Sequence, residues 1–376
     1  MKKMLLLAAV VGVAFTSCVN EEFNEGTSKQ EVMRFDVPVL SKTKANVLGE
    51  IEKTTYPTDE DFMVFCKAYK GTFSTWENAE NINYFDAAGE VASNNSNVGT
   101  GTGSSYWATV TEHYWPETEY NLAFAAYSPA ELTTAPTLIE QNNQGLHIEG
   151  FQTEKNSNKQ YDLMYAFRKI DMNKNKWAGS AVTLKFNHAL SSIVFSSWKS
   201  DDKADYNITK IIVAGKFCQK ADFLQGAGTG VVDHATNDET CDASWENHAA
   251  VTDTIQYHPS FTEFNVPVEA PTQFTKGASA LLMIPQVIPD DATVTIYYTK
   301  TTNAGTADEV VLNTSATIPL KEFAYTDEAN VSHNITTWEI GKRYIYRIQF
   351  GKNERIYFEP SVTDWGTEST LIYTIK

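Results

Sequence analysis

The chain has 376 residues, 42% of them hydrophobic and 12% aromatic, enough apolar material for real cores and too much for a globally disordered chain. The length exceeds one ordinary β-sandwich and accommodates two domains. With 47 acidic against 30 basic side chains the formal charge is −17, and without a basic cluster this argues against nucleic acid or an anionic membrane surface as partner.

In chain order, the first signal is for export. Lys2 and Lys3 precede an apolar run from Met4 to Phe15 that is too short to span a bilayer and has the layout of a secretory leader. Phe15-Thr-Ser-Cys18 follows at once. A Cys closing such a run after small residues resembles the bacterial lipobox, although Phe15 stands where Leu is usual. Residues 1–17 are therefore expected to be a signal peptide and Cys18 the lipidated N-terminus; the plainer alternative is an ordinary signal peptide with an incidental Cys. Acyl chains, at ~0.8 kcal/mol per buried methylene, would tether the protein durably to a membrane. Residues 18–31 read as the lipidated polar tether.

Next, Phe35, Val37 and Val39 alternate with Asp36, Pro38 and Leu40. Because Pro38 cannot donate to a ladder, this strand is expected at a sheet edge or only loosely paired. Ser41-Lys-Thr-Lys-Ala-Asn46 then forms an exposed basic connection. A first series of short strands is expected at 62–69, 84–85, 106–110, 120–127, 146–148 and 163–167, with Val91–Ser105 as the most flexible loop. The polar stretch 171–180 is the preferred domain boundary, giving 32–177 and 178–376. A second series follows at 182–186, 193–197, 208–217, 261–268, 280–285, 293–298, 310–318, 342–350, 355–358 and 371–375, around a polar insertion at 225–250. No window carries a convincing amphipathic helix, so the fold class is all-β, with two tandem sandwiches.

The sharpest alternation lies near the end. Tyr344, Tyr346, Ile348 and Phe350 share one face of an extended strand, and Arg343, Ile345, Arg347 and Gln349 share the other, as in a half-buried antiparallel strand. Gly351-Lys-Asn353 supplies a turn, and Ile356 and Phe358 resume the pattern as a hairpin.

Residue types that carry chemistry are sparse. His234, Cys241 and His248 sit seven apart among acidic residues, without the tight spacing that fixes a coordination sphere, and a solvated acidic loop is the favoured reading. Asp59-Glu60-Asp61 could offer oxygens to calcium but reads more readily as a solvated entry to a strand. His188 continues the even-numbered apolar face of Val182, Leu184 and Phe186, which points to a core histidine with a hydrogen-bonded ring. No nucleophile elbow, phosphate loop or helical zinc motif is present, so neither catalysis, nor a cofactor, nor a metal is expected. Besides Cys18, the cysteines are Cys66, Cys218 and Cys241. Cys218 and Cys241 could close a disulfide loop worth about 3 kcal/mol, whereas Cys66 sits in an apolar strand as a small hydrophobe. Trp107, His113, Tyr114 and Trp115 could stack on sugars, which would suit a glycan-binding lipoprotein of a polysaccharide-uptake system. If those rings are buried, that alternative loses its support.

Four passages carry a family resemblance: Asp162-Leu-Met-Tyr-Ala166; Leu184-Lys-Phe-Asn-His-Ala-Leu-Ser-Ser-Ile193; Leu281-Leu-Met-Ile-Pro-Gln286; and Trp338-x-x-Gly341-Lys-x-Tyr344-x-Tyr346 with Ile356-x-Phe358 and Val362-x-x-Trp365. In this order, behind the lipobox, they resemble the fimbrillins, pilus subunits of Bacteroides and Porphyromonas relatives, in the Mfa-like branch. Glu21-Glu22 resembles the acidic tract that sends lipoproteins to the cell surface in the same group. The resemblance implies two transthyretin-like sandwiches, a lipid-anchored precursor in the outer membrane, and other fimbrial subunits as partners, with no adhesion target specified. It also implies that a trypsin-like protease removes the first strand and that a terminal strand of the next subunit replaces it, a form of β-augmentation. On this chain Val32–Leu40 would be the removable strand. Cleavage after Lys42 or Lys44 would release it whole, and cleavage after Arg34 would leave most of it behind.

Overall fold

A computed structural model of the chain describes residues 32–37, 56–73, 76, 78, 80–94, 106–116, 120–132, 138–142, 145–170, 181–226, 243–268, 270–322, 324–326, 332–351 and 356–364. These residues are built from β-strands and short 3₁₀ turns, with no α-helix among them. The all-β expectation holds.

The first strands in chain order are β1 (Phe35–Asp36), β2 (Phe62–Tyr69), β3 (Ile82–Asn83), β4 (Glu90–Asn94), β5 (Trp107–Thr109), β6 (Asn121–Ser128), β7 (Leu138–Asn142), β8 (Gly145–Gln152), β9 (Met164–Ile170), β10 (Val182–Thr183) and β11 (Asn187–His188). A nine-stranded sheet runs β10-β1-β5-β4-β2-β6-β9-β11, with β3 on β2. Its two ends, β10 and β11, are the two halves of one segment, Val182–His188. The sheet therefore wraps round until both ends meet that segment, which leaves few open edges. Inside lies the first core, with Phe62, Phe124 and Phe186 fully buried.

The second group is β12 (Ser191–Lys199), β13 (Ala204–Gly215), β14 (Lys220–Gly226), β15 (Ala243–Glu246), β16 (Ile255–Tyr257), β17 (Phe264–Asn265), β18 (Thr272–Gln273), β19 (Leu281–Met283), β20 (Gln286–Val287), β21 (Thr293–Thr302), β22 (Val310–Pro319), β23 (Ala324–Thr326), β24 (Ser332–Asn334), β25 (Thr337–Trp338), β26 (Lys342–Phe350) and β27 (Ile356–Asp364). Two five-stranded sheets, β18-β12-β26-β27 with β19 on β12, and β16-β13-β21-β22 with β17 on β13, enclose a second core. Tyr344, Tyr346, Ile348 and Phe350 are buried in it, as their alternation requires. The hairpin with β27 also forms as expected. On its other side, however, β26 runs parallel to β12 over eight residue pairs, so it is a mixed strand rather than a purely antiparallel one. Gly341 turns the chain into it at φ +67°, a left-handed conformation that favours glycine.

Strands on either side of residue 177 share sheets. β10 and β11 complete the first sheet, and β14 and β15 join β8 and β7 in a four-stranded sheet, with Phe223 opposite Ile148. The expected boundary stretch 171–180 lies outside the described residues. Some sequence expectations fail locally. Glu90–Asn94 forms a strand at the start of the stretch expected to be loop, and Phe261–Val268 contributes only the two-residue β17.

Candidate functional site

A third apolar cluster lies where the four motif passages converge. In Asp162–Ala166, Met164 and Ala166 face the first core while Leu163 and Tyr165 face this cluster. In Leu281–Ile284, Leu281 and Met283 face the second core while Leu282 and Ile284 face it. Ala189 and Leu190 join from the second passage, with Ile340 of the fourth packed against them. The alternation that makes each motif a strand lets it serve two cores at once. Side-chain hydrogen bonds tie the junction together: Gln160 Oε1 accepts from Leu282 N at 2.7 Å in a buried bond, and Gln286 Oε1 accepts from Cys218 N at 2.6 Å in a part-buried one.

His188 also lies in the passage that spans this junction, and its core role is as expected. Its Nδ1 is 3.0 Å from Asp162 Oδ1, and both residues are buried. The pairing could not be read from the sequence, although both residues lie in the motif passages.

The second feature is the seat of β1. Phe35 pairs with Trp107 of β5 on one side and Val182 of β10 on the other, the first antiparallel and the second parallel. Arg34 O accepts from Val182 N at 2.6 Å, Asp36 O from Leu184 N at 2.9 Å, and His113 O from Met33 N at 2.7 Å. β1 has neighbours on both sides, so of the two expectations drawn from Pro38 the edge position is overturned, while the short ladder agrees with loose pairing. Pro38 itself lies outside the described residues. Met33, Phe35 and Val37 are 2%, 0% and 3% exposed, whereas Asp36 faces solvent. Phe35 meets Phe62, Phe85 and Phe124 edge-on, with centroids 5.9, 6.3 and 5.9 Å away. Burying three such side chains contributes roughly 5–8 kcal/mol. Among the described residues the regular ladder that holds them is two residues long, extended by a bridge between Val32 and Tyr114 and by Tyr56 N donating to Val37 O at 3.2 Å.

Trp107 and Trp115 are 4% and 9% exposed and belong to the first core, and Trp107 Nε1 donates to Glu60 O at 3.2 Å. The two tryptophans are therefore unavailable for stacking. His113 and Tyr114 are half-buried, the His113 ring stacked on Phe85 and the Tyr114 hydroxyl donating to Glu112 at 3.0 Å, so the glycan-binding alternative loses its tryptophans. Glu60 is buried between exposed Asp59 and Asp61, so the three carboxylates do not share a surface. Burial, reinforced by the charges of Asp59 and Asp61, pushes the Glu60 carboxyl up to about 7.

Of the remaining site candidates, Cys18, Lys42, Lys44, His234 and Cys241 lie outside the described residues. Arg34 is half-buried, with its guanidinium carbon 6.0 Å from the Tyr106 ring centroid. Cys218 is buried with its Sγ 3.0 Å from Lys220 O, and burial raises its pKa. Cys66 is 3% exposed, as its apolar strand required. His248 Nε2 lies 2.9 Å from Pro285 O.

A family model described as Fimbrillin-like matches residues 67–365, a span that contains all four motif passages. The chain belongs to the fimbrillin-like family. The family is one of structural, fimbrial proteins of the cell surface, not of enzymes. No curated protein sequence matches the chain. Among solved structures, a fimbrial protein from Bacteroides vulgatus is similar in fold, with a TM-score of 0.51 at 15% identity over 89% of this chain and 99% of that one. The tip fimbrial protein of Porphyromonas gingivalis, solved with a C-terminal truncation, aligns over 89% of this chain and 100% of that one at 9% identity and a TM-score of 0.36. In this fimbrillin-like chain β1 lies ahead of the matched span, while its pocket residues Phe85, Trp107 and Phe124 lie within it.

Proposed function

We propose that the chain is the lipid-anchored precursor of a structural or adhesive fimbrial subunit, which joins its neighbours by exchange of a β-strand after proteolysis. In this reading residues 1–17 are the leader, and Cys18 carries the lipid on a tether to residue 31. The parts 32–177 and 178–376 are tandem transthyretin-like sandwiches held at the surface of the outer membrane, the second lending β10, β11, β14 and β15 to sheets of the first. The observation that carries the reading is the seat of β1, where Met33, Phe35 and Val37 are buried in core pockets on a short strand flanked by two walls. A strand built this way leaves a slot with apolar pockets and hydrogen-bonding walls on both sides, which another strand can fill.

Cleavage after Lys42 or Lys44 suits this mechanism, because it frees Met33, Phe35 and Val37 together. Cleavage after Arg34 suits it less: the pocket would keep Phe35 and Val37, and the Arg34 carbonyl is engaged by Val182 N. N-terminal sequencing of the protein from purified fimbriae tests the reading. The expected mature chain starts at Thr43 or Ala45; a fibre-incorporated chain still beginning at Cys18 would sink strand removal for this subunit.

A further inference from the structure

β22 ends its sheet. Its inner side pairs with β21 over ten residues, and among the described residues no strand pairs with its outer side. Exposed edges of this length are normally blunted with charge, proline or brevity. The other long terminal strand, β27, has Glu359 and Pro360 at its centre, and β15 is only four residues long. β22 reads Val-Val-Leu-Asn-Thr-Ser-Ala-Thr-Ile-Pro, with no charge and a proline only at its last position.

Its apolar side chains are placed unusually. Ile318 and Ala316 stand opposite buried Val294 and Ile296, and Ile318 packs on the second core. Val310 and Leu312 continue that same face beyond the core and are 58% and 55% exposed. Val311, on the opposite face, is 54% exposed.

We propose that β22 is a docking edge for a second copy of this chain, the two strands pairing antiparallel about a two-fold axis at Thr314–Ser315. Such an axis, perpendicular to the sheet, keeps core-facing side chains of both copies on one side of the joined sheet. With the axis on Thr314, Val310 lies opposite the partner's Ile318; with the axis on Ser315, Leu312 does. Either register covers the uncovered apolar end of one strand with the seated end of the other. Charge favours the same partner and direction. Two copies at −17 each repel over most of their surfaces, and this strand offers an uncharged seam. Antiparallel pairing also keeps the acidic Asp308–Glu309 ends of the two copies apart, where parallel pairing would set them against each other; Lys321, at the other end of the strand, is already engaged by Asp290.

The test uses the full, uncleaved chain, so its outcome is independent of strand removal. Thr314→Cys and Ser315→Cys are made separately, oxidised and compared with the unsubstituted chain on non-reducing gels. Sedimentation across a concentration series measures the dimer. One of the two variants is expected to trap a disulfide-linked dimer. Leu312→Lys, at an exposed site that leaves the core intact, is expected to weaken the dimer by about tenfold or more. Val110→Lys, at a residue 93% exposed in the first half of the chain, is expected to leave it unchanged. A chain that stays monomeric at every concentration overturns the proposal, as does a dimer that neither cysteine traps and Leu312→Lys leaves intact.

Discussion

β1 and β26 both carry aromatic side chains into a core, and they differ in what holds them. β26 has eight registered pairs with β12 and nine with β27, and buries Tyr344, Tyr346, Ile348 and Phe350. β1 is two residues long, yet Phe35 is as deeply buried as any of these. In β26 the backbone ladder and the side chains are redundant anchors. In β1 the backbone holds at fewer points and apolar contact carries a larger share, and such contact is non-directional and can be supplied again by another strand of suitable pattern. The comparison separates depth of burial from strength of attachment.

The largest expected effects put the two strands on equal terms. Phe35→Ala and Phe350→Ala, the latter emptying the site where Phe350 stacks on Tyr206 and meets Tyr298 edge-on, should each cost about 3–5 kcal/mol in urea unfolding of the uncleaved chain. Native-state hydrogen exchange should then divide them. Amides of β26 are expected to exchange only by global unfolding, and the Met33 amide by a cheaper local opening of β1. Equal protection at both places would break the distinction.

A smaller effect probes the junction between the cores. His188→Leu leaves the Asp162 carboxylate buried without its imidazole partner and should cost about 1–3 kcal/mol, while the double variant His188→Leu with Asp162→Leu should recover part of the loss. Strict additivity in that cycle would show that the pair is not coupled.

The smallest expected effect is a pH dependence confined to the β1 side. The Glu60 carboxyl has a folded pKa of about 7 against an ordinary 4.5, so the folded state holds its proton more tightly than the unfolded chain does. Its contribution is therefore greatest below pH 4.5, falls as pH rises towards 7, and stays low above that. Glu60→Gln should remove this fall and raise stability at pH 8 by about 1–2 kcal/mol, with little change at pH 4. An unchanged pH profile in urea unfolding would assign the fall to other groups.

The period-2 pattern made much of this legible. It gave the buried face of β26, the core position of His188 and the all-β class, because each depends only on which side of a strand is apolar. It could not say which strand lies alongside. The parallel partner of β26 is some 150 residues away in β12, and β1 is flanked by Trp107 and Val182, both distant in sequence. Pro38 argued for an edge on local grounds, and the pairing of Phe35 was decided by the wrapping of the sheet. The junction was legible only as recurring motifs. Their reason, alternate residues serving different cores, needs three dimensions. Residues 225–250 read as polar insertion, yet within it Trp245 packs against the shared cluster from β15 and its Nε1 donates to Ala189 O at 2.7 Å.

One consequence follows from the two walls of the β1 seat. The Trp107 wall runs antiparallel to β1 and the Val182 wall runs parallel to it. If β1 leaves, an incoming strand of either polarity still finds one parallel and one antiparallel neighbour. Main-chain hydrogen bonding alone then cannot set the direction in which a replacement lies. Polarity must be read by the pockets that received Met33, Phe35 and Val37, so the order of side chains along a donor, more than its backbone, would decide which way each subunit points along a fibre.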